Sequence, residues 1–347
     1  MATKGTIIVT GANGALGSAI VGHIVQRPDL ASNYTGIYTV RKTASATQLA
    51  KALQSAPASH KNQTLEMDLG SIASVRKTAA HINRQVAGGQ LPPIRALIFN
   101  AGYQDGGDAM YMSEDGYEMN WQVNYLANFI LCLLLLQSMD KENGRILIVG
   151  SWSHDVDDKR NENPGHAPYG DPKWRDLFPG AEELATGKWS TPQDDSTYSG
   201  MRRYGASKLC ATMLHQELGN RLAQDPVLKG IAVVGLDPGA MASPIARRAG
   251  FLKGVFMMQY ALGLMGALAV RWNPNGMLRT PWKTGGDAVR ACFDIDVPPG
   301  EALYLNGTDK ADVGKAAKDE ARRKALWAYS VEVAGIKAGE TPLGDWL

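Results

Sequence analysis

Cysteine and histidine are scarce in this chain, which excludes two common kinds of site. Only three of the 347 residues are cysteines, Cys132, Cys210 and Cys292, and they lie far apart in the sequence. The six histidines form no ligand-spaced pair such as His-Glu-x-x-His. Neither a disulfide framework nor a metal site is therefore predicted, and this composition is typical of a protein from a reducing compartment.

An excess of one charge is missing as well. The chain has 36 Lys and Arg residues against 34 Asp and Glu residues, for a formal net charge of +2, with no long run of one sign. This balance gives no electrostatic basis for binding nucleic acid. A strand-like run begins directly after the first few residues and leaves no room for a signal peptide, so we expect a cytoplasmic protein.

Apolar residues make up 44% of the chain, enough to fill a substantial core. Strand-like runs at Thr6–Val9, Gly36–Val40, Ile94–Gly102 and Arg145–Val149 alternate with stretches of helical character. This alternation predicts an α/β fold with a parallel sheet and right-handed crossovers. Ligands of such sheets bind at the carboxyl ends of the strands.

A glycine-rich turn follows the first predicted strand and precedes a helical stretch. Such a turn brings backbone amides close to a phosphate at the positive end of the helix. Its spacing, Gly11, Gly14 and Gly17, differs from the Gly-x-Gly-x-x-Gly form, and an ordinary strand-turn-helix is the alternative. We interpret the turn as part of a dinucleotide site formed by Thr10, Gly11, Asn13, Gly14, Ala15, Leu16 and Gly17.

The second predicted strand ends in two basic residues, Arg41 and Lys42. An NAD site would place an acidic residue near this point to hold the ribose hydroxyls, but none occurs between Asp29 and Glu66. A guanidinium and an ammonium suit a 2′-phosphate instead. The pattern therefore favours NADP(H), with two merely solvated charges as the alternative.

Polar and small residues are predicted at the same sheet edge after later strands. Asp68, followed by Leu69, closes a third strand and is placed to meet the adenine, and Asn100, Ala101 and Gly102 form a turn beneath the nucleotide.

Asn124 interrupts an apolar helix predicted over Asp115–Phe129 and beyond. So apolar a helix should be buried against the sheet or a second subunit. Burying an unpaired amide costs about 1–3 kcal/mol, so we expect Asn124 to have a role; satisfaction by a helix kink is the alternative.

Tyr204 and Lys208 lie four residues apart, which on a helix places them on one face. A nearby ammonium favours the phenolate and should lower the pKa of Tyr204 from its ordinary value of about 10. Such a pair suits proton transfer to or from a substrate oxygen. The alternative is a surface tyrosine beside a solvated lysine.

Together these motifs resemble the short-chain dehydrogenase/reductase (SDR) family, nearest to its retinol-dehydrogenase-like branch. The resemblance is carried by Thr10-Gly11 with Gly17, the Asn100-Ala-Gly turn, Asn124, Ser151, Tyr204, Lys208, the Leu236–Ser243 segment, a stretch near Arg279 and one ending at Gly335. It implies one three-layer Rossmann domain over residues 1–347, with a doubly wound parallel sheet of about seven strands.

The resemblance also implies a catalytic tetrad. Tyr204 would exchange the proton, Lys208 would hold the nicotinamide ribose, Ser151 would bind the substrate oxygen and Asn124 would anchor a water. The segment that resembles Pro-Gly-x-Val-x-Thr would line the nicotinamide through Pro238, Gly239, Met241 and Ser243. The implied activity is NADP(H)-dependent interconversion of a ketone or aldehyde and an alcohol.

The chain departs from the family pattern mainly by an insertion over residues 154–199. Ser151 and Tyr204 are 53 positions apart, and relatives usually join these residues by a much shorter segment. We expect the insertion to act as a lid or specificity loop, with an inert excursion as the alternative. It carries Trp174, Phe178 and Trp189. We expect His154 and His166 to face solvent, with contact to the substrate as the alternative.

A second unusual segment covers residues 244–282. Its part from Gly254 to Val270 has no charged residue and is at the lower limit of length for crossing a bilayer. We favour a substrate-covering, Met- and Leu-rich wall or subunit contact over peripheral membrane attachment or spanning. The expected substrate is a small molecule, namely a carbonyl compound or alcohol with a bulky hydrophobic skeleton. A homo-oligomer is also compatible with the sequence.

Two other functions are compatible with this sequence. A reductase of conjugated C=C bonds could use the same fold and the same tyrosine-lysine pair. A non-catalytic NADP(H)-binding regulator would not need the tetrad, yet all four positions are filled here.

Overall fold

The computed structural model describes residues 3–105, 109–162, 167–242, 263–298 and 300–347. Its centre is an eight-stranded sheet with the order β3-β2-β1-β4-β5-β6-β7-β8. Neighbouring strands from β3 to β7 pair in parallel, and only β8 is antiparallel to its neighbour. The strands are β1 Gly5–Val9, β2 Tyr34–Val40, β3 Asn62–Glu66, β4 Ile94–Phe99, β5 Arg145–Val149, β6 Ala232–Asp237, β7 Leu303–Asn306 and β8 Asp309–Lys310.

Helices cover both faces of this sheet. The α-helices are α1 Ala15–Gln26, α2 Pro28–Ala31, α3 Thr47–Leu53, α4 Ile72–Ala87, α5 Met119–Trp121, α6 Ala127–Leu135, α7 Ala181–Thr186, α8 Ser199–Gln224, α9 263–272, α10 Pro281–Phe293, α11 Lys315–Lys318 and α12 Glu320–Ala334. The predicted three-layer, doubly wound Rossmann fold is therefore confirmed, with seven parallel strands and a short antiparallel eighth.

The apolar composition of the strands explains why the sheet lies at the centre. All residues of β1, β5 and β6 are buried, so these strands contribute side chains to both faces. One core cluster includes Ile20 and Ile24 of α1 together with Ala288 of α10. The other lies on the opposite face and contains α6 and much of α8. The sheet thus separates two hydrophobic layers.

The most apolar helical run lies inside the second layer. Met119–Ser138 has the length and composition of a membrane-spanning helix, but 94% of the relevant window is buried within the protein. Every residue of α6 is buried, as expected for the helix predicted around Asn124. Between α5 and α6 the chain widens into one π-helical turn, Gln122–Leu126. Such turns often occur at functional sites, and this one contains Asn124.

Boundaries differ from the sequence-based expectations by a few residues. Strand β3 ends at Glu66, so Asp68 lies in the turn that follows the strand and does not close it. Strand β4 ends at Phe99, and Asn100 to Gly102 follow it as irregular backbone. The predicted helix over Asp115–Phe129 begins only at Met119.

Candidate active site

The carboxyl ends of the parallel strands open into a cleft with a volume of about 1140 Å³. Of the predicted site residues, those that line it are Gly11, Asn13, Gly14, Ala15, Leu16, Gly17, Arg41, Lys42, Asp68, Leu69, Asn100, Ala101, Gly102, Ser151, Tyr204, Lys208, Pro238, Gly239 and Met241. Thr10 and Asn124 are buried behind this surface. Ser243 lies outside the described residues.

The glycine-rich turn between β1 and α1 has the shape of a phosphate cradle. Gly11 has a backbone φ of +63°, a conformation that residues with a side chain rarely adopt. A Cβ atom on Gly17 would overlap the carbonyl oxygen of Gly11 and would lie 2.8 Å from the side-chain nitrogen of Asn100. The turn leads directly into the amino end of α1, where free amide groups favour an anion.

Thr10 and Asn100 fix this turn to the neighbouring strand. The Thr10 hydroxyl oxygen accepts hydrogen bonds from the backbone amides of Asn100 and Ala101, at 3.0 and 3.1 Å. The Asn100 side chain donates to the carbonyl oxygens of Thr10 and Gly11, at 2.9 and 3.2 Å. Thr10 is fully buried, so its predicted contribution to cofactor binding is indirect.

Arg41 and Lys42 follow β2 at the open end of the cleft, and both are exposed. Asn13 connects the glycine-rich turn to this region, because its side-chain oxygen accepts from the backbone amides at the start of α3, at 2.9 and 3.1 Å. The structure also brings Glu66 beside this loop, where its carboxylate accepts from the backbone amide and hydroxyl of Thr43, both at 2.7 Å. These hydrogen bonds lower the pKa of Glu66.

Tyr204, Lys208 and Ser151 meet deeper in the cleft. Tyr204 and Lys208 lie on α8, as predicted, and Lys208 Nζ is 5.8 Å from the centre of the Tyr204 ring. The ammonium donates to the carbonyl oxygen of Val149 at the end of β5, at 2.9 Å. Ser151 follows β5, and its hydroxyl acts on the Tyr204 side chain so as to lower the Tyr204 pKa. A hydroxyl, a phenol and an amine are thus combined in one site.

Burial controls the pKa values of this pair. It raises the pKa of Tyr204 to about 12, although the hydrogen bond with Ser151 acts in the opposite direction. It lowers the pKa of Lys208 to about 8, and the nearby negative charge of Asp237 opposes this effect. The expected lowering of the Tyr204 pKa is therefore wrong for the protein alone. The phenolate loses its hydration in this site, and that loss outweighs the attraction of the neighbouring amine.

Asn124 supports the site from behind. Its side-chain oxygen accepts from the Tyr103 backbone amide at 2.8 Å, and its nitrogen donates to the Tyr103 carbonyl at 2.9 Å. The same nitrogen donates to the Ser207 hydroxyl at 2.8 Å, and that hydroxyl donates to the Tyr204 carbonyl at 2.7 Å. Ser207 was not predicted; a short polar residue beside Lys208 is the signal that could have identified it.

Gly150, which precedes Ser151, has no room for a side chain because Tyr304 of β7 packs against it. A Cβ atom on Gly150 would overlap the Tyr304 hydroxyl oxygen and would lie 3.3 Å from the adjacent ring carbon. Tyr304 is only 4% exposed, and its ring lies between His154 and His215, with ring centres 5.5 and 5.9 Å away. The volume of Tyr304 therefore requires glycine at this point.

The insertion contributes to the cleft through residues other than those expected. Arg160, Asn161, Pro168 and Tyr169 line it, and the Tyr169 hydroxyl donates to the Ser153 carbonyl at 2.9 Å. The remaining walls include Tyr103, Trp152, Met201 and Met277.

The two tryptophans singled out in the insertion pack against each other instead. The Trp174 and Trp189 ring centres are 6.1 Å apart, and the Arg202 guanidinium lies 4.0 Å above Trp174. Neither ring is among the residues that line the cleft.

His154 does not face solvent, contrary to expectation. It is 5% exposed, its Nε2 accepts from the Gly314 backbone amide at 3.0 Å, and its Nδ1 donates to the Ser151 carbonyl at 2.6 Å. Burial lowers its pKa, which favours this neutral form. Sequence position cannot reveal this role, because Gly314 is distant in the chain. His166 lies outside the described residues.

A buried ionic cluster attaches the insertion to α8, the helix that carries Tyr204 and Lys208. Arg203, 2% exposed, donates to the Ser190 carbonyl at 2.6 Å and pairs with Asp105 at 3.1 Å and Glu118 at 3.4 Å. Two carboxyl groups share this one guanidinium. Burial, with the repulsion of Asp105, raises the pKa of Glu118 to about 7.

The predicted substrate-covering segment is described only from residue 263 onward. In α9 the side chains of Leu264, Met265, Leu268 and Trp272 are exposed, with Trp272 89% exposed. Met277, which follows this helix, lines the cleft. The apolar part before residue 263, including most of the stretch expected to cover the substrate, lies outside the described residues.

The comparison with known sequences agrees with this geometry. The profile of the family described as short chain dehydrogenase matches residues 5–170. "Short-chain dehydrogenase iccH" from Talaromyces variabilis is 44% identical, and the alignment covers 100% of both chains. Retinol dehydrogenase 13 from Homo sapiens is 25% identical over 96% of this chain and 85% of its own length.

Solved structures show the same fold. The angucycline C-6 ketoreductase LanV, described with bound NADP, superimposes with a TM-score of 0.56. The superposition covers 88% of this chain and 96% of LanV at 16% identity. At this identity the likeness establishes the architecture alone.

Proposed function

The chain belongs to the short-chain dehydrogenase/reductase family of oxidoreductases, with a retinol-dehydrogenase-like relationship, and we propose that it is an NADP(H)-dependent ketoreductase. It would interconvert a ketone or aldehyde and an alcohol on a bulky hydrophobic metabolite. The observation that carries this proposal is the meeting of Tyr204, Lys208 and Ser151 in one cleft with the glycine-rich turn.

The residues of the cleft fit a nicotinamide dinucleotide. Gly11 and Gly17 allow the turn to pack closely, because a Cβ atom on either would overlap neighbouring protein atoms, and the amino end of α1 suits a diphosphate. Lys208 would hold the nicotinamide ribose. When bound, this coenzyme would supply or accept the hydride. Arg41 and Lys42 support the choice of NADP(H), because both basic side chains line the cleft beyond β2, where a 2′-phosphate would lie.

Tyr204 has the properties of a proton donor for carbonyl reduction. With a pKa raised to about 12 it is a neutral phenol near pH 7 and carries a proton to donate. An alkoxide forming on the substrate is a far stronger base and would take that proton. The single O–H of Ser151, which lies beside Tyr204, would turn to donate to the substrate oxygen, whose negative charge grows in the transition state.

The walls of the cleft support a large, mainly apolar substrate. The lining residues of the cleft include Trp152, Tyr169, Met201, Met241 and Met277. Methionine side chains adapt to irregular apolar shapes, and aromatic rings stack on flat ligands. Insertion residues form part of this wall, which supports a specificity role for the 154–199 segment.

The test is NADPH oxidation by the purified protein with a panel of hydrophobic ketones and small polar ketones. We expect turnover of bulky ketones and the corresponding alcohol as product. Tyr204→Phe should lose about 10²-fold or more in kcat, the range for a general acid, while still binding NADPH. Tyr198→Phe, at the amino-terminal cap of α8, is the matched control. A saturated ketone formed from an enone would instead favour C=C reduction, and full activity of Tyr204→Phe would contradict the proposed mechanism.

A further inference from the structure

Asp237 is a buried carboxylate beside the catalytic pair. It ends β6, and its side chain is 2% exposed. One carboxylate oxygen accepts from the Gly239 backbone amide at 3.0 Å, in the turn that lines the cleft. Asp237 follows Leu236, which pairs with Val149 of β5, and the Val149 carbonyl accepts from Lys208 at 2.9 Å. This pairing places Asp237 at the strand end where the ammonium binds, and its negative charge raises the pKa of both Tyr204 and Lys208. An unpaired carboxylate in this position would change the charge balance of the site.

The insertion supplies the partner of this carboxylate. Nη2 of Arg160 lies 2.8 Å from the second oxygen of Asp237 and 2.6 Å from Asp158. The guanidinium lies 4.9 Å from the centre of the Trp152 ring, which lines the cleft next to Ser151. Arg160 therefore reaches from the insertion to the end of a central strand.

Arg279 is also close, but its donors are engaged elsewhere. It donates to the backbone carbonyl of Asp237 at 2.9 Å and to the carbonyls of Asn275 and Gly276 at 2.7 and 3.0 Å. Among the ion pairs of the described residues, Arg160 is the sole partner of the Asp237 carboxylate.

We propose that Arg160 is a positioning residue for the reaction: by pairing with Asp237 it sets the charge that acts on Lys208 and Tyr204. The insertion thus completes the electrostatic environment of the site in addition to forming a wall. Loss of this arginine leaves a buried negative charge that stabilises the Lys208 ammonium and disfavours the Tyr204 phenolate. The charged and titratable groups that face Asp237 are Arg160, Asp158, Arg279, His154, Tyr204, Lys208 and Tyr304.

The experiment measures the titration of Lys208 in the full-length protein without substrate or coenzyme. A small acetylating reagent is applied over a range of pH, and modification of each lysine is quantified by mass spectrometry of peptides. Lys208 reacts through the cleft that it lines. The exposed Lys324 is the internal control.

Arg160→Met should move the midpoint of Lys208 modification to higher pH by about one unit, because the unpaired carboxylate favours the ammonium. Asp237→Asn should move it to lower pH, because the carboxylate is removed while Arg160 remains. The double variant and Arg160→Lys should both lie near the wild-type midpoint. Lys324 should not respond in any variant.

An unchanged Lys208 midpoint in folded Arg160→Met would overturn the proposal, since a purely structural arginine alters stability without moving this titration. If Arg160→Met does not fold, the nearly isosteric variant Asp237→Asn provides the test. A Lys208 midpoint that does not move to lower pH in Asp237→Asn would then overturn the proposal. The inference rests on the proposed role of Lys208, but the measurement needs no turnover. A shifted midpoint without ketone reduction would therefore reject the proposed function and keep the electrostatic coupling.

Discussion

Gly150→Ala should strain the structure directly before Ser151. The added methyl group would overlap the hydroxyl oxygen of Tyr304 and would lie 3.3 and 3.4 Å from two ring carbons. Tyr304 cannot easily move, because it is packed between two buried histidine rings. Overpacking of this kind costs about 1–3 kcal/mol of unfolding free energy.

The free-energy cost of this overlap can be measured with a double-mutant cycle. Tyr304→Phe removes only the oxygen and should change stability by about 1 kcal/mol or less. In the double variant the remaining ring carbons are tight but not overlapping neighbours, so most of the lost stability should return. Urea unfolding of all four proteins, followed by circular dichroism, gives the coupling energy. Turnover should fall in Gly150→Ala and recover in the double variant.

Gly219→Ala is the matched control for this cycle. Gly219 lies within α8, and a Cβ there would meet only Ala302 Cβ, at 3.7 Å. Alanine in a helix with free space should be neutral or stabilising by about 0.5–1 kcal/mol. The steric reasoning is refuted if Gly150→Ala is as stable as the wild type. It is also refuted if adding Tyr304→Phe does not restore the stability lost in Gly150→Ala.

Three further predictions concern coenzyme choice, pH and the buried turn. Replacing Arg41 and Lys42 with alanine should raise the KM for NADPH roughly tenfold to a hundredfold and leave that for NADH nearly unchanged; equal effects on both would contradict the 2′-phosphate assignment. The raised pKa of Glu118 contributes stability that is complete below about pH 4.5 and is lost as pH rises through about 7. This contribution to the unfolding free energy should therefore fall with pH in this window, by at most about 1.4 kcal/mol per unit. It should be measured as the difference between the wild type and Glu118→Gln, because burial lowers the pKa of His154 and of His215, and these histidines act in the opposite direction in both proteins. Thr10→Val should lower the unfolding free energy measured in urea by about 2 kcal/mol or more, because two buried backbone amides lose their hydrogen-bond acceptor. Stability equal to that of the wild type would mean that these amides have another acceptor.

Features that depend on local sequence were predictable. The β-branched strands, the glycine-rich turn and the Tyr204–Lys208 spacing are each encoded within a few neighbouring residues. The structure then brings these pieces to one sheet edge, because parallel strands share a direction. The catalytic and coenzyme-binding roles, the cytoplasmic location, an oligomeric state and a membrane contact stay predictions.

Features that depend on contacts distant in sequence were missed. His154 was expected in solvent, but its partner Gly314 is 160 positions away. Arg160 was overlooked, because only folding brings the insertion to Asp237. The direction of the Tyr204 pKa shift was wrong for a similar reason, since spacing reveals a neighbouring amine but not how deeply both groups are buried.

The attachment of the insertion to α8 has a consequence for loop exchange between enzymes of this family. Arg202 pairs with Asp195 and donates to the Pro168 carbonyl, while Arg203 binds Ser190. Both arginines immediately precede Tyr204, so the residues that attach the 154–199 segment to α8 lie outside that segment. A chimera that transfers residues 154–199 alone would leave this loop without these contacts to α8. Transplanting the segment together with both arginines would keep them, and the recipient must also supply Asp237 and the Gly314 backbone amide, which bind Arg160 and His154.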